Sequence, residues 1–364
     1  MPERASELRV GLVGYGFVGK LFHAPMIVRT PGLSLVAVSS SDASKVKADL
    51  GEIEVFSNPM EFVREADVDL VVIASPNESH KPLAEAALKF GKHVLVDKPF
   101  ALNLEEARSI VAVAKEYRRF VSVFQNRRWD SDYLGVKKVL EEGRLGSVTH
   151  FESHIDRFRP EVKDRWREDD VPGSGLWMDL GPHLADQALC LFGLPLCVRA
   201  DFFAARKGAK VEDWAHVVLD YESLRVVLHS SMQAGGGSSR FTVHGDRGSL
   251  IKASADRQED QLKEGILPGD ESWGIDPDEM TFFDGVGGVE KIATPRGDQC
   301  SFYRKLQRAV VENKPELNPV QPHEAIALMA LLEAARISNE EGRAVELQLT
   351  EEERAHFKNT VYSG

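Results

Sequence analysis

The chain has 364 residues, 43% of them hydrophobic, with 45 Lys and Arg against 57 Asp and Glu, a formal net charge of −12. That length exceeds what one hydrophobic core usually organises and predicts two domains, while the acidic balance argues against a nucleic-acid partner, which selects basic faces. Three cysteines, Cys190, Cys197 and Cys300, form no C-x-x-C and no Cys/His cluster, so neither a disulfide framework nor a metal is expected. With no apolar h-region before Val10 and no membrane-length apolar run, the expectation is a soluble cytoplasmic protein with no membrane partner.

Along the first 125 residues, apolar runs of strand length alternate with stretches of helical period. Strands are predicted at Arg9 to Gly14, Leu33 to Ser39, Val55 to Ser57, Leu70 to Ala74, His93 to Asp97 and Phe120 to Phe124. Helices fall between them, notably Pro82 to Phe90 with Gly91 as C-cap and Leu104 to Tyr117 opened by Asn103. This alternation implies a doubly wound parallel sheet of the Rossmann type.

After Asn126 the texture changes. A polar helix, Asp130 to Glu142, precedes strands at Val148 to Arg157 and Cys197 to Arg206. Two hairpins follow, His216 to Tyr221 with Arg225 to Met232, and Phe241 to His244 with Ser249 to Ala253. Arg257 to Thr294 is weakly periodic and is expected to be a long loop with short strands, before closing helices at Gln299 to Glu312 and His323 to Asn339. The predicted fold is α/β, with an N-terminal Rossmann domain over 1–125 and a C-terminal α+β domain over 126–364 built on a large, mainly antiparallel open sheet.

Val10 to Gly19 runs from an apolar strand into Gly14-Tyr15-Gly16-Phe17-Val18-Gly19. Such a turn lets backbone approach a pyrophosphate and sets it on a helix N-terminus. An NAD enzyme places Asp or Glu about twenty residues further on, yet the second strand ends Ser39-Ser40-Ser41. Asp42 reads as the N-cap of a helix carrying Lys45 and Lys47, and hydroxyls beside an ammonium suit a 2′-phosphate, so NADP is favoured over NAD. The alternative is that Asp42 bends back to the ribose.

Ser75-Pro76-Asn77 follows the fourth strand, where such sheets carry their ligand crevice, and is also ordinary turn chemistry. Lys98 ends the fifth strand between Asp97 and the stiff Pro99, a place from which it can polarise a substrate oxygen, against the plain reading of a solvated lysine. In the second domain, Pro182 is best tolerated in a helix's first turn, which predicts a helix opening with Asp179 as N-cap and His183 one turn away. The pair reads either as a base with its orienting carboxylate or as a buried histidine satisfied by packing.

These residues resemble a known family. Val10 to Gly19, Ser75-Pro76-Asn77 with His80, Asp97-Lys98-Pro99 and the Asp179-to-His183 segment are similar to the glucose-fructose oxidoreductase and inositol dehydrogenase family, Gfo/Idh/MocA. Phe22-His23-Ala24-Pro25, Asn126-Arg127-Arg128-Trp129-Asp130, Asp156-Arg157-Phe158-Arg159-Pro160 and Asp164-Arg165-Trp166-Arg167 resemble its branch of NADP-dependent scyllo-inositol dehydrogenases.

The resemblance implies that Lys98 contacts the reacting oxygen, His183 relays the proton and Asp179 positions both substrate and histidine, with Asp156 and Arg157 completing the substrate site. It implies cofactor contacts from Gly14, Tyr15, Gly16, Phe17, Val18, Ser39, Ser40, Ser41, Lys45, Ser75, Pro76, Asn77, His80, Asp97, Lys98, Asn126 and Trp166. Many relatives carry Glu where this chain has the shorter Asp97. The resemblance also implies homodimers or homotetramers assembled through the second domain's sheet. The function expected is NADP-dependent oxidation of a polyol, cyclitol or sugar secondary alcohol, or reduction of its ketone. A cofactor-binding sensor without turnover is the alternative class, and the joint presence of Lys98, Asp179 and His183 favours the enzyme. Reduction of aromatic diols or tetrapyrroles would want a more apolar pocket than Arg157, Arg159, Arg165 and Arg167 suggest, although charged runs often only pair ions at a surface.

Overall fold

The computed structural model describes residues 7–357 and divides into two compact units. The first contains residues up to Asn126 together with 258–273 and 298–325. Its core is a parallel sheet of β1 (Leu8–Val13), β2 (Leu33–Ser39), β3 (Glu54–Phe56), β4 (Leu70–Ile73), β5 (His93–Val96) and β6 (Val121–Val123). Their order is β3-β2-β1-β4-β5-β6. All four residues of β4, Leu70, Val71, Val72 and Ile73, are buried, as a strand sandwiched between layers on both faces requires.

Side-chain caps mark where several helices begin: Asp42 before Ala43–Leu50, Asn58 before Pro59–Glu65 and Asn103 before Leu104–Glu116. Each accepts backbone N–H groups that the helix itself leaves unpaired.

The stretches 258–273 and 298–325, which lie within the segment 126–364, pack with the first unit. Long-range contacts account for this. The helix Cys300–Val311 buries Phe302, Tyr303 and Leu306, and the Tyr303 hydroxyl lies 2.6 Å from His23 Nδ1. The Asn318 amide donates to the Val121 carbonyl at 2.9 Å across 197 residues of chain.

The second unit is built on eight strands: β7 (Val148–His154), β8 (Cys197–Phe203), β9 (Trp214–Asp220), β10 (Arg225–Ser231), β11 (Phe241–Gly245), β12 (Gly248–Lys252), β13 (Met280–Phe283) and β14 (Val289–Ile292). Their order is β14-β13-β12-β11-β7-β10-β9-β8. All neighbours pair antiparallel except β7 and β10, which run parallel at the centre.

Both predicted hairpins form, the second across a two-residue turn between paired Gly245 and Gly248. The stretch expected as a long loop with short strands holds the short strands β13 and β14 and, beyond the expectation, a helix, Gln258–Lys263. That helix is too polar and short to show a period, and the Gln258 side-chain oxygen holds it to Gln299 N at 2.7 Å. The helix Leu176–Phe192 lies against β9 and β10, with Leu176, Leu180, Met232 and Ile155 packed together. Among the described residues, no helix is long and apolar enough to cross a membrane.

Candidate active site

In the first unit, the predicted cofactor residues gather where β1, β2, β4 and β5 end. Gly14 has φ +94°, and a Cβ there would stand 2.5 Å from the Ala74 carbonyl oxygen. A Cβ on Gly19 would meet the Gly14 carbonyl at 2.0 Å, while one on Gly16 would find nothing within 4 Å. Gly14 and Gly19 therefore close the turn on itself and on β4. Gly16 keeps its outer side clear, the shape that lets a diphosphate rest on backbone N–H groups.

The helical segment Gly19–His23 follows at once, with Phe17 largely exposed and Val18 half-buried. Tyr15 is buried, and that burial, with the Asp49 carboxylate beside it, pushes its hydroxyl up to about 12. The Lys45 ammonium donates to the Tyr15 carbonyl at 3.1 Å, which places a cation over the glycine turn.

Beyond β2, Ser39 is buried and Ser41 exposed, and the Ser40 hydroxyl accepts from Asp42 N at 3.1 Å. Asp42 itself accepts from the Ser44 hydroxyl at 2.6 Å and from Lys45 N at 3.0 Å. Those hydrogen bonds, Ser44's first, hold its carboxyl below the usual range. Asp42 is thus engaged as the helix cap that its sequence position predicts.

After β4, Ser75 and Ser79 share a 2.5 Å hydroxyl contact, Asn77 is buried in the turn Asn77–Ser79, and Pro76 O accepts from the Ser79 hydroxyl. The His80 ring joins this turn to the one after β5, its Nδ1 2.8 Å from Pro99 O and its Nε2 3.0 Å from Ser75 O. Asp97 is buried, and its Oδ1 accepts from Lys98 N at 2.8 Å. Burial pushes the Asp97 carboxyl up, but His23, 3.9 Å away, and the Lys98 charge outweigh it and hold it below the ordinary value. Lys98 is half-buried, and Asn126 is buried at the start of the short helix Asn126–Trp129.

In the second unit, the helix begins at Leu176 with Gly175 before it at φ +90°, so Asp179 is not its N-cap and Pro182 lies inside the helix. The cap comes from outside the helix sequence. Glu212 accepts from Leu176 N through its carbonyl at 3.0 Å and from Trp177 N through its side chain at 3.1 Å. Burial raises the Glu212 carboxyl above its ordinary value, and Asp213 adds to the effect. Once the amino end is secured in this way, the helix tolerates the hydrogen bond that Pro182 cannot make.

Asp179 and the buried His183 stand one turn apart as expected. Arg167 Nε and Arg157 Nη1 approach the Asp179 carboxylate at 3.7 and 4.0 Å. Arg167 also stacks on Trp166 at 4.4 Å, while Arg165 pairs with Glu168 at 2.8 Å. The Asp156 carboxylate lies 3.8 Å from His154 and 3.7 Å from His229.

Sequence reasoning did not single out Glu212, His154 or His229. Glu212 and His229 meet these partners through loop packing and strand pairing, and His154, beside Glu152 and Asp156 in its own segment, meets His229 only across the sheet.

A 3-2-1-4-5-6 parallel sheet with this glycine turn defines a dinucleotide-binding Rossmann fold. The chain belongs to the Gfo/Idh/MocA family. Residues 8–125 match the family's NAD-binding Rossmann fold and 137–347 its C-terminal alpha/beta domain. It is 48% identical to the uncharacterized oxidoreductase YdgJ of Escherichia coli over 90% of this chain and 95% of that one. It is 33% identical to the scyllo-inositol 2-dehydrogenase (NADP(+)) IolW of Bacillus subtilis over 95% and 97%. A crystal structure of an oxidoreductase from Klebsiella pneumoniae superposes with a TM-score of 0.91 at 53% identity, covering 97% of this chain and 98% of that one.

Proposed function

We propose that the protein is an NADP-preferring dehydrogenase that interconverts a secondary alcohol and its ketone on a polyol, cyclitol or sugar. The observation that carries this reading is the pair Asp179 and His183 on one helix face, with the carboxylate approached by Arg157 and Arg167. Cationic groups around a carboxylate keep it ionised, able to accept hydrogen bonds from hydroxyls and to orient an imidazole.

The glycine turn suits the dinucleotide because the clear side of Gly16 leaves room against backbone N–H groups. Ser40, Ser41 and Lys45 would hold a 2′-phosphate, since Asp42 is occupied as a cap. Ser75, Pro76, Asn77 and His80 would shape the nicotinamide end. When bound, NADP supplies the hydride acceptor, and NADPH the donor.

In oxidation, Lys98 hydrogen-bonds the reacting hydroxyl oxygen and favours its developing negative charge. His183, neutral, takes the hydroxyl proton, and Asp179 fixes both the ring and a neighbouring substrate hydroxyl. In reduction, His183 returns a proton to the carbonyl oxygen. Support for NADP and for a cyclitol-like substrate comes from the likeness to IolW.

The test is a panel of cyclitols, sugars and sugar acids assayed for nicotinamide reduction with NADP and NAD. The expected result is turnover of at least one polyol or cyclitol with higher kcat/KM for NADP. Higher kcat/KM with NAD overturns the cofactor reading. Dinucleotide binding with no turnover across the panel in either direction favours a sensor and overturns the enzyme reading.

A further inference from the structure

One face of the eight-stranded sheet carries a row of histidines outside the candidate active site. Cross-strand pairing sets His154 of β7 opposite His229 of β10, His229 opposite His216 of β9, and His216 opposite Asp201 of β8. Ser153, the neighbour of His154, is turned the other way, its hydroxyl accepting from the buried Arg240 at 2.6 Å. The same guanidinium donates to Gln187 of the helix Leu176–Phe192 at 2.6 Å. Because side chains alternate along an extended chain, His154 and Asp156 lie on the face away from that helix.

One ligand atom from each of His154, Asp156 and His229 lies within 4.8 Å of the other two. His154 Nδ1 is 3.8 Å from Asp156 Oδ2, and His229 Nε2 is 3.7 Å from Asp156 Oδ1. The Asp156 side chain is only 3% exposed, and neither of its oxygens, nor His154 Nδ1, has a partner in good hydrogen-bond geometry, although the Ser238 hydroxyl and the His154 ring stand beside it. A carboxylate held out of water with so few well-placed donors is unfavourable unless a cation completes its surroundings.

The outward nitrogens of both rings are already engaged. His154 Nε2 lies 3.0 Å from Glu152 Oε2, whose other oxygen meets His150 Nε2 at 2.8 Å, and His229 Nδ1 faces His216 Nδ1 at 3.4 Å. Donation from His154 Nε2 to Glu152 leaves the Nδ1 lone pair aimed at Asp156. A carboxylate behind a histidine is the usual device that orients a metal-ligating ring.

We propose that His154, Asp156 and His229 bind a divalent transition-metal ion of the zinc type on this face of the sheet. The inference is independent of the dehydrogenase reading. Ligand atoms around a tetrahedral zinc with bonds of about 2.0 Å stand roughly 3.3 Å apart. The 3.7 and 3.8 Å spacings run to the two Asp156 oxygens and all three ligand atoms lie within 4.8 Å, so closing on the ion needs side-chain adjustments of roughly an ångström. Two imidazoles select zinc, cobalt, nickel or copper over magnesium or calcium, and three protein ligands leave a fourth position for water. The expectation of no metal, based on the lack of a Cys/His cluster, misses this arrangement because His154-x-Asp156 and His229 meet only when β7 pairs with β10.

The experiment titrates Zn2+ calorimetrically into the full-length protein after treatment with a chelator, and repeats the titration with Co2+, read by visible absorption. The expected result is one Zn2+ per chain, intensified Co2+ absorption and a higher Tm with Zn2+ than without. Affinity should fall at least tenfold in Asp156→Asn and in His229→Gln and stay unchanged in His244→Ala. Folding of each variant is checked by circular dichroism, and His229→Gln, at a less buried ligand, decides the matter if Asp156→Asn does not fold. No stoichiometric binding in the unsubstituted protein, unchanged affinity in a folded ligand variant, or equal response to Mg2+ overturns the proposal.

Discussion

Two helix starts in this protein handle the N–H groups at their amino ends in opposite ways. The segment Gly19–His23 follows a turn set mainly by glycines within six residues, where Gly19 closes on the Gly14 carbonyl, Gly14 fits against Ala74 at the end of β4, and Gly16 stays open. The helix Leu176–Phe192 is instead capped by Glu212, 35 residues downstream of Trp177, whose N–H it accepts. The second device satisfies N–H groups that a helix leaves unpaired, whereas the first leaves them open to a ligand. The first is written largely in one short stretch of sequence. The second exists only when β9 and the loop before it are in place, so the geometry of Asp179 and His183 depends on the packing of the whole second unit.

The largest expected effect sharpens this contrast by striking chemistry alone. Lys98 is half-buried at the end of β5, and Asp97 accepts from its backbone N–H. Lys98→Met keeps the apolar stem and removes the charge and donors. On a turned-over substrate, kcat should fall by about 10²–10⁴, the range for a positioned acid-base or polarising group. NADP affinity measured by titration should change little. Near-normal kcat would return Lys98 to an ordinary solvated lysine.

A smaller effect tests the locally determined half. Ser40→Asp keeps a side-chain acceptor for Asp42 N, so the turn after β2 should persist. The new carboxylate opposes a 2′-phosphate, and kcat/KM with NADP should drop roughly tenfold or more relative to that with NAD. An unchanged ratio of the two cofactors would place the 2′-position elsewhere.

The same contrast explains what was legible in the sequence. The six parallel strands, the cap at Asp42 and the glycine turn follow from short-range period and turn chemistry, and they stand where the sequence puts them. The helix start at Asp179 was misplaced because the rule about proline assumes that the amino end is set by its own residues. Here Glu212 sets it four residues earlier, with Gly175 at the N-cap. Residues 258–273 and 298–325 pack with the first unit for a related reason. Their place is fixed by contacts such as Tyr303 with His23 and Asn318 with Val121, which no local pattern encodes. The surroundings of Asp179 follow suit, since Arg157 and Arg167 come from a segment that reads as an ordinary charged run.

The smallest expected effect bears on the distant cap itself. Glu212 presents an acceptor to Trp177 N, but burial raises its carboxyl above the ordinary value of 4.5, so the ionised form is disfavoured in the folded protein. A carboxyl with a raised folded-state pKa contributes stability that is fully present below its unfolded pKa and lost as pH rises through the folded one. Glu212→Gln keeps an oxygen for Trp177 N and removes that ionisation. Relative to the variant, the unsubstituted protein should therefore lose stability as pH climbs from about 4.5 through the raised value. Glu212→Ala removes both the charge and the acceptor, so comparing it with Glu212→Gln isolates the cap. The Ala variant should be the less stable of the two by about 1 kcal/mol, the usual worth of a side-chain cap. Thermal melts of all three proteins between pH 5 and pH 8 measure both quantities. Equal melting of the Gln and Ala variants would mean that backbone acceptance by the Glu212 carbonyl is enough to start the helix. The side chain would then be a passenger, and Asp179 and His183 would owe their placement to the loop's path.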